Sequence, residues 1–250
     1  MSAIQTYVRT TAARGRETER IGPFLATYTP DSTHPMLNYA IPDDGAAPSA
    51  DVIAALTEAF RGRELMPRLE YFSDVAPELE KLLVDTGFEL ERRVPLMVCS
   101  VEGRIDHAVP EGIRLREPET DEDFRRMRSA QNVAFGESPA VTDAEVARAK
   151  ASRAAGSAPV LAEDTVTGEV IGGGIALEIV EGTTEIAGIA VIEQYRLRGI
   201  AVALTSHITR EAHRRGAHTA FLTPGDLGLG NLYARVGYRP AGECVHLSLS

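Results

Sequence analysis

The sequence predicts an α+β fold built from two similar domains, because one pattern occurs twice along the chain. The end of a helix, a glycine cap and an aromatic residue entering a strand occur at Leu82–Phe88 and again at Leu232–Tyr238. Glycine caps helices well because it adopts the left-handed conformation without strain. The two capping glycines, Gly87 and Gly237, are 150 residues apart, a spacing that favours duplicated domains over a solenoid array. Chance recurrence of common α/β elements is the alternative.

The elements around each copy also follow one order: a helix, a short strand and a second helix. In the first copy we predict a helix over 51–60, a strand over 68–72 and a second helix from near 77. In the second copy we predict a helix over 200–215, a strand over 218–223 and a second helix from near 227. A polar turn at Val101–Arg104 follows an apolar strand at Val94–Cys99, so we expect domains at 1–103 and 104–250.

The remaining elements of the second half are predicted from capping and alternation. Residues 113–116 alternate as a strand, and Thr120 and Thr142 each precede acidic residues as helix caps do. Three further strands are predicted over 159–162, 170–180 and 184–192. Three consecutive glycines, Gly172 to Gly174, lie inside the second of these strands and predict a bulge or a close neighbour.

The composition is that of an ordinary globular protein. Of its 250 residues, 44% are hydrophobic and 25% are charged, and we find neither a signal-like segment nor a long apolar run, so we expect a cytoplasmic protein. A net charge of -10 without a basic stretch argues against nucleic-acid and membrane partners and would suit a cationic substrate. Cys99 and Cys244 have no cysteine at metal or redox spacing, so we expect buried, reduced thiols.

The segment Val191–Ala201 carries the clearest chemical signal. An apolar strand passes through a basic turn containing Gly199 into an amphipathic helix. The start of a helix offers unpaired N–H groups and a partial positive charge to a phosphate, and Arg196 and Arg198 would add charged donors. A solvated helix start is the alternative. The segment lacks the signatures of a P-loop and of a dinucleotide-binding turn, which indicates another phosphate ligand.

This segment resembles the Gcn5-related N-acetyltransferase (GNAT) superfamily. The family motif, Gln or Arg, two residues, Gly, one residue, then Gly or Ala, is matched by Arg196, Gly199 and Ala201. The later Leu232–Tyr233 and Gly237–Tyr238 resemble the family's ending, with tyrosine in place of its final phenylalanine. The resemblance extends over about Ile113–Ser250. It implies two GNAT-like domains, each with a mixed, mostly antiparallel sheet flanked by helices, and acetyl-CoA as a co-substrate.

The resemblance also implies a set of binding residues. The strand residues that would pair with the pantetheine arm are Ile189, Ala190 and Val191, and those of the pyrophosphate turn are Arg196, Leu197, Arg198, Gly199, Ile200 and Ala201. Asn231 would either touch the cofactor or cap the short helix that follows.

Catalytic roles follow from what aminolysis of a thioester requires. Tyr233 would protonate the leaving thiolate, since a tyrosine pKa of about 10 lies slightly above the pKa of about 8.5 of a thiol. A purely packing role for its ring is the alternative. The resemblance implies Glu185 as the best-placed base, since family members often place an acid or a water relay on this strand. A solvated strand-end charge is the alternative, and Glu178 is a weaker substitute. The family's geometry also implies that a backbone N–H near Ala190 or Val191 would polarise the carbonyl.

The first half matches the family only in outline. Asp43 and Asp44 lie where a phosphate would bind, and Leu83 stands in the place of Tyr233. We therefore expect a degenerate half that is structural or forms a wall of the substrate site, and that does not bind CoA.

The predicted function is transfer of an acetyl group from acetyl-CoA to a primary amine of a small molecule or peptide by direct attack. A non-catalytic acyl-CoA sensor is the alternative, and an interaction protein without a CoA site is the third possibility. We expect a monomer or homodimer. His207, His213 and His218 lack the helical spacing of a zinc motif, so we expect no metal.

Overall fold

The protein is described by a computed structural model that covers residues 2–30, 32–225 and 227–250. The α-helices are α1 (Ser2–Ala12), α2 (Ala50–Arg61), α3 (Leu79–Asp85), α4 (Asp121–Ala134), α5 (Asp143–Ala154), α6 (Ile200–Arg214) and α7 (Gly230–Arg235). The strands are β1 (Glu17–Ile21), β2 (Phe24–Tyr28), β3 (Tyr39–Pro42), β4 (Arg68–Phe72), β5 (Glu89–Ser100), β6 (Ile113–Arg116), β7 (Ala158–Asp164), β8 (Val170–Ala176), β9 (Thr183–Val191), β10 (Thr219–Leu222) and β11 (Arg239–Ser248). None of the described helices is both long and apolar enough to span a lipid bilayer.

The chain forms two compact units that interleave in sequence. One unit comprises Met1–Leu96, Thr223–Leu227 and Pro240–Ser250, and the other comprises Met97–Leu222 and Gly228–Arg239. The domain boundary between residues 103 and 104 stays a prediction.

The sheet of the first unit is mixed and mostly antiparallel. β1 to β3 form an antiparallel meander, β3 and β4 are parallel, and β4 is antiparallel to β11. The last strand of the chain therefore completes the sheet of the first unit.

The sheet of the second unit has the same character. β6 to β9 are successively antiparallel, β9 and β10 are parallel, and β10 is antiparallel to the end of β5. Helices flank the sheet in each unit, and the predicted fold class is confirmed. Each unit also contains a parallel strand–helix–strand segment, β3–α2–β4 and β9–α6–β10, which is the feature that a duplication requires.

Two capping boxes fix the helices that precede the meander of the second unit. The Thr120 hydroxyl accepts from the N–H of Asp123, whose carboxylate accepts in return from the N–H of Thr120. Thr142 and Glu145 form the same reciprocal pair. Each box satisfies backbone donors that the first turn of a helix leaves unpaired, so α4 and α5 begin where the sequence predicts.

Several helices and strands begin or end a few residues away from the predicted positions. β8 ends at Ala176 rather than at Val180, and Glu181 and Gly182, with φ values of 48° and 72°, then turn the chain into β9. In the first unit, α3 begins at Leu79 after a single 3-10 turn at Ser73–Val75.

The capping glycines are needed for the reason that the sequence suggests. Gly87 and Gly237 have φ values of 97° and 100°, which side chains rarely tolerate. A Cβ on Gly237 would also lie 2.0 Å from the carbonyl oxygen of Gly103.

The glycine triplet of β8 has the predicted close neighbour, whereas the bulge at this point lies in the facing strand β9. The β8–β9 register shifts between Gly173 and Ile175, and a Cβ on Gly172 would lie 2.2 Å from the Ala190 carbonyl oxygen. β8 therefore packs closely against β9 and against α4.

Candidate active site

The first feature of the candidate site is the point where β9 and β10 separate. Their parallel pairing covers three residues and ends at Phe221 and Glu185. β9 continues to Val191, and no described strand pairs with this stretch on the β10 side. Such an edge leaves backbone N–H and C=O groups free to pair with an extended ligand that carries amides.

A bulge in β9 lies beside this edge. Two residues of β9, Gly188 and Ile189, oppose the single residue Gly174 of β8. Gly188 has a φ of 64°, and its carbonyl oxygen accepts a hydrogen bond of 2.7 Å from Gln131 Nε2 on α4. A bulge with a left-handed glycine bends a strand and changes the direction of the groups that follow it.

The bulge determines which backbone groups point to the open edge. The N–H of Ile192 donates to the Ile171 carbonyl on β8, and Ala190 is registered with Gly173 on the same strand. Because successive residues of a strand alternate in direction, the N–H groups of Ile189 and Val191 point away from β8. Of the two positions predicted for a polarising N–H, the alternation favours Val191 over Ala190.

The turn after β9 leads directly into a helix start without a side-chain cap. Leu197 and Gly199 have φ values of 63° and 78°, and Gly199 is the N-cap of α6. The first intrahelical bond runs from the Ala203 N–H to the Gly199 carbonyl. The N–H groups of Ile200, Ala201 and the residue after them therefore have no partner within the helix, and they carry the positive end of its dipole.

The two arginines of the turn differ in their contacts. Arg196 donates from Nε to the Val191 carbonyl at 3.1 Å and from Nη2 to the Ala134 carbonyl at 2.8 Å, so it braces the turn. Arg198 lies over the Tyr195 ring at 5.0 Å and donates to a carbonyl within the same turn. Both side chains are exposed, as is Leu197. The sequence predicted a phosphate-binding role for both arginines but not the bracing role of Arg196.

Tyr233 lies on α7 with 8% of its surface exposed. Its ring makes an edge contact with Tyr238 at a centroid distance of 6.2 Å. The Tyr238 hydroxyl shares a hydrogen bond of 2.8 Å with Thr209, whereas the Tyr233 hydroxyl has no such partner among the described residues. Burial raises the pKa of Tyr233 above its usual value of 10.0, which keeps the phenol protonated at neutral pH.

The candidate bases occupy different positions. Glu185 is half-buried and belongs to the last registered pair before β9 and β10 separate. Glu178 lies beyond the end of β8, in the connection to β9. The separation point thus favours Glu185. Tyr233 shares a core cluster with Ile186, the next residue of β9, and the partly buried Ile189 packs against the same cluster.

Asn231 is exposed on the first turn of α7. The N-cap of that helix is Leu229, without a side-chain cap bond. The suggestion that Asn231 caps the helix is therefore wrong, and its contact with a cofactor stays a prediction.

An open groove of about 560 Å³ lies beside the turn, between α4 and Gln194. Its two arginines are already bonded: Arg125 donates to the Val141 carbonyl and to Asp143, and Arg126 donates to the Gly168 carbonyl. The groove is therefore a poorer anion site than the start of α6.

No group of three or more metal-ligating side chains is found in the described ranges. Burial lowers the pKa of His207 and of His213, and neighbouring arginines lower it further. Both imidazoles are therefore favoured in the neutral form.

The corresponding strand pair of the first unit is closed by a side chain. β3 and β4 share one registered pair, Ala40 and Leu69. Beyond it, the fully buried Gln5 of α1 donates to the Pro42 carbonyl at 3.3 Å and accepts from the Phe72 N–H at 3.4 Å. Helix α1 therefore satisfies backbone groups at the ends of both strands.

The turn after β3 is acidic and neutralised from within the unit. Asp43 accepts two hydrogen bonds from Arg20, at 2.9 and 3.0 Å, and Asp44 pairs with Arg9 at 2.9 Å. Both carboxylates of this turn are thus paired with arginines of the same unit.

Comparison with known families decides the assignment. Residues 122–238 match the model of the acetyltransferase (GNAT) family. This segment, just under half of the chain, is similar to a GNAT domain. All the residues predicted from the motif, from Ile189 to Ala201, lie within the matched range, as does Tyr233.

Solved structures show the same fold over nearly the whole chain. A GCN5-related N-acetyltransferase from Kribbella flavida superposes with a TM-score of 0.82 at 23% identity, over 99% of this chain and 94% of that one. One from Sphaerobacter thermophilus gives 0.69 at 19%, over 90% and 80%. A tandem GNAT protein from the clavulanic acid biosynthesis pathway gives 0.67 at 12%, over 96% and 86%. No curated protein matches the sequence. The GNAT family and fold indicate an acyltransferase.

Sequence reasoning missed three contributors to this geometry. Gly188 lies in the apolar part of β9, Ile186–Val191, and such an isolated glycine is a recognised signal of a bulge. Gln131 and Gln5 carry no comparable signal, because their partners are 57 and 67 residues away in the chain.

Proposed function

We propose that the protein is an N-acetyltransferase that moves an acetyl group from acetyl-CoA to a primary amine of a small molecule or peptide by direct attack. The observation that carries this proposal is the unpaired edge of β9 beyond Glu185, followed at once by the uncapped, glycine-started helix α6. An extended edge and an adjacent anion site suit a ligand with an amide-containing arm joined to a pyrophosphate.

The residues fit the two parts of acetyl-CoA differently. The free N–H groups at the start of α6 and the charge of Arg198 would hold the pyrophosphate, while Arg196 keeps the turn in shape. The backbone of Ile189 and Val191 would pair with the pantetheine arm. When bound, acetyl-CoA supplies the acetyl group as a thioester.

The chemical step assigns one task to each of three groups. As the neutral amine attacks the carbonyl carbon, Glu185, directly or through a water molecule, takes the proton that the nitrogen loses. The Val191 N–H donates to the carbonyl oxygen as negative charge develops there. A carbon–nitrogen bond forms, the carbon–sulfur bond breaks, and Tyr233 gives its proton to the departing thiolate. The raised pKa of Tyr233 makes it a weaker acid than a free phenol, but it stays protonated across the neutral range.

The decisive experiment measures release of free thiol from acetyl-CoA against a panel of primary amines, together with the thermal stabilisation that CoA produces. Amine-dependent thiol release is the expected result. Stabilisation without release under any amine would instead indicate a sensor. Absence of both effects would contradict a CoA site.

A further inference from the structure

The bulge of β9 does more than bend the strand, because it sets the direction of every backbone group that follows. The Glu185 carbonyl accepts from the N–H of Leu177, the residue directly after β8, and the Ile192 N–H donates to the Ile171 carbonyl of β8. Glu185 and Ile192 are an odd number of positions apart, so in a regular strand their backbone groups would face opposite edges. The extra residue at Gly188 shifts the alternation by one position, so that both face β8. Losing the bulge would rotate Val191 away from the open edge.

One side chain holds this bulge from outside the sheet. Gln131 is 5% exposed, and its Nε2 donates to the Gly188 carbonyl at 2.7 Å. A Cβ added to Gly188 would approach Nε2 to 2.9 Å, so the amide lies directly over the strand. A bulge removes backbone groups from the ladder, and here Gln131 supplies the donor for the Gly188 carbonyl.

The helix that carries Gln131 is itself fixed firmly. Asp123, in the capping box of α4, forms an ion pair of 2.6 Å with Arg116, which holds the pKa of that carboxyl well below its usual range. At the middle of the helix, Met127 packs on Gly173, where an added Cβ would lie 2.6 Å from its Cγ. The glycines of β8 thus let α4 approach closely enough for Gln131 to reach β9.

We propose that Gln131 is a positioning residue for the acyl-transfer reaction, which keeps the Gly188 bulge formed and thereby aims the Val191 N–H into the open edge. The inference rests on the proposed function for its catalytic consequence. The link between Gln131 and the shape of β9 rests on the hydrogen bond and the strand register alone.

The test compares Gln131→Leu with Asn132→Leu. Asn132 is a matched control because it is the next residue of α4, is 4% exposed and also donates to a backbone carbonyl, that of Ala140. Hydrogen exchange of the ligand-free proteins is followed in a peptide spanning 186–192, and kcat and the CoA dissociation constant are measured on the folded fraction.

We expect faster exchange in this peptide for Gln131→Leu but not for Asn132→Leu. We also expect kcat to fall about 10- to 100-fold for Gln131→Leu, as small misplacements of catalytic groups do, while Asn132→Leu changes only the melting temperature. A Gln131→Leu variant with unchanged exchange and unchanged kcat would overturn the proposal, as would a loss of stability alone.

Gln131→Glu gives a second readout, the pH dependence of kcat, which a purely structural role of Gln131 would not change. A carboxylate cannot donate to the Gly188 carbonyl, but a protonated carboxyl can, and burial near a carbonyl favours the protonated form. The ratio of kcat to that of the wild type should rise as the pH falls for Gln131→Glu and stay flat for Gln131→Leu. Flat ratios for both variants would contradict the donor role.

If the wild type transfers no acetyl group at all, the proposed function fails, and the catalytic role of Gln131 fails with it. The exchange data alone then decide whether Gln131 holds the bulge.

Discussion

The two parallel strand pairs of the molecule, β9/β10 in the second unit and β3/β4 in the first, differ most where their strands separate. In the second unit no described strand pairs with the outer edge of β9 beyond Glu185, and Arg196 donates to the Val191 carbonyl at the end of this edge. In the first, Gln5 bridges the Pro42 carbonyl and the Phe72 N–H. The same strand–helix–strand arrangement thus leaves room for a ligand in the second unit. In the first unit, the Gln5 side chain satisfies the backbone groups at the ends of the two strands.

The turns that follow β9 and β3 also differ, in the charge of their side chains. Arg196 and Arg198 surround the uncapped start of α6, whereas Asp43 and Asp44 occupy the turn after β3 and pair with arginines of the same unit. The two units share the strand–helix–strand geometry but differ in the charge of the turn that follows the first strand, and we propose that this charge decides whether an anionic ligand is bound. The degeneracy of the first half remains a proposal, and the following experiments test it.

The largest effect is expected at Tyr233, whose counterpart in the first half is the buried Leu83. Tyr233→Phe keeps the ring and removes the proposed acid. We expect kcat to fall about 10²- to 10⁴-fold with CoA affinity within a few-fold, since an interaction made in the transition state is lost.

Tyr238→Phe is the matched control for Tyr233. It loses the hydrogen bond to Thr209 and should lower stability while leaving kcat of the folded protein nearly unchanged. If Tyr233→Phe keeps kcat within about threefold of wild type when chemistry limits the rate, Tyr233 is not the acid.

A smaller effect is expected when the basic turn is made to resemble the acidic one. Arg196→Glu combined with Arg198→Glu should weaken acetyl-CoA binding at least about tenfold, because charge-assisted phosphate contacts and the bracing of the turn are both lost. Calorimetric titration measures the change. The double variant Arg148→Glu with Arg214→Glu alters the net charge equally at exposed sites of the same unit and should bind normally. Equal affinities for both double variants would remove the turn from the site.

In the first unit we expect Gln5→Leu to cost stability without creating a second binding site. Both hydrogen bonds of Gln5 are long, so the free energy of unfolding should fall by about 1 kcal/mol. The acidic turn remains, and calorimetry should still give one CoA per chain, as for the wild type. Two equivalent sites in either protein would show that the first half is not degenerate.

The smallest effect that we expect concerns the reactivity of two thiols, Cys99 in the second unit and Cys244 in the first. Both are buried cysteines outside any disulfide, as predicted. Burial raises the pKa of Cys99 to about 11, so its thiol stays protonated in the folded state, whereas in an unfolded chain it would ionise near pH 8.5. Native Cys99 should resist iodoacetamide at about pH 9 and react after denaturation in urea, with the rates measured by peptide mass spectrometry. Folding stability should correspondingly fall as the pH rises above 9. Rapid native labelling of Cys99 would contradict this, and Cys244, at 8% exposed against 1% for Cys99, provides the comparison.

Local signals made much of the fold predictable. The bounds of β4 and β6 match the prediction, and α4 and α5 start directly after the predicted caps Thr120 and Thr142. Caps, alternation and glycine stops act between residues close in sequence, so one sequence is enough to detect them.

The site was predictable only as a motif on a strand, a turn and a helix. Its role assignments, including Tyr233 and Glu185, remain predictions. Three features depend on contacts between distant segments: the direction of the backbone groups in β9 after the bulge, the bracing of the turn by Arg196, and the hydrogen bonds of Gln5 to the ends of β3 and β4. A residue pattern does not encode which distant carbonyl a buried amide will meet.

The order in which the ribosome delivers the chain has a consequence for the first unit, because its sheet includes Pro240–Ser250. β4 pairs along β11 from Phe72 to Arg68, yet β11 is made after the helices and strands of the second unit. At about 5–20 residues per second, the nascent first unit waits on the order of 10–30 s for this strand. During that time the β4 edge that β11 will cover has no native partner and is open to pairing with other nascent chains. Removing residues 240–250 would therefore take a strand from the first unit and not from the second.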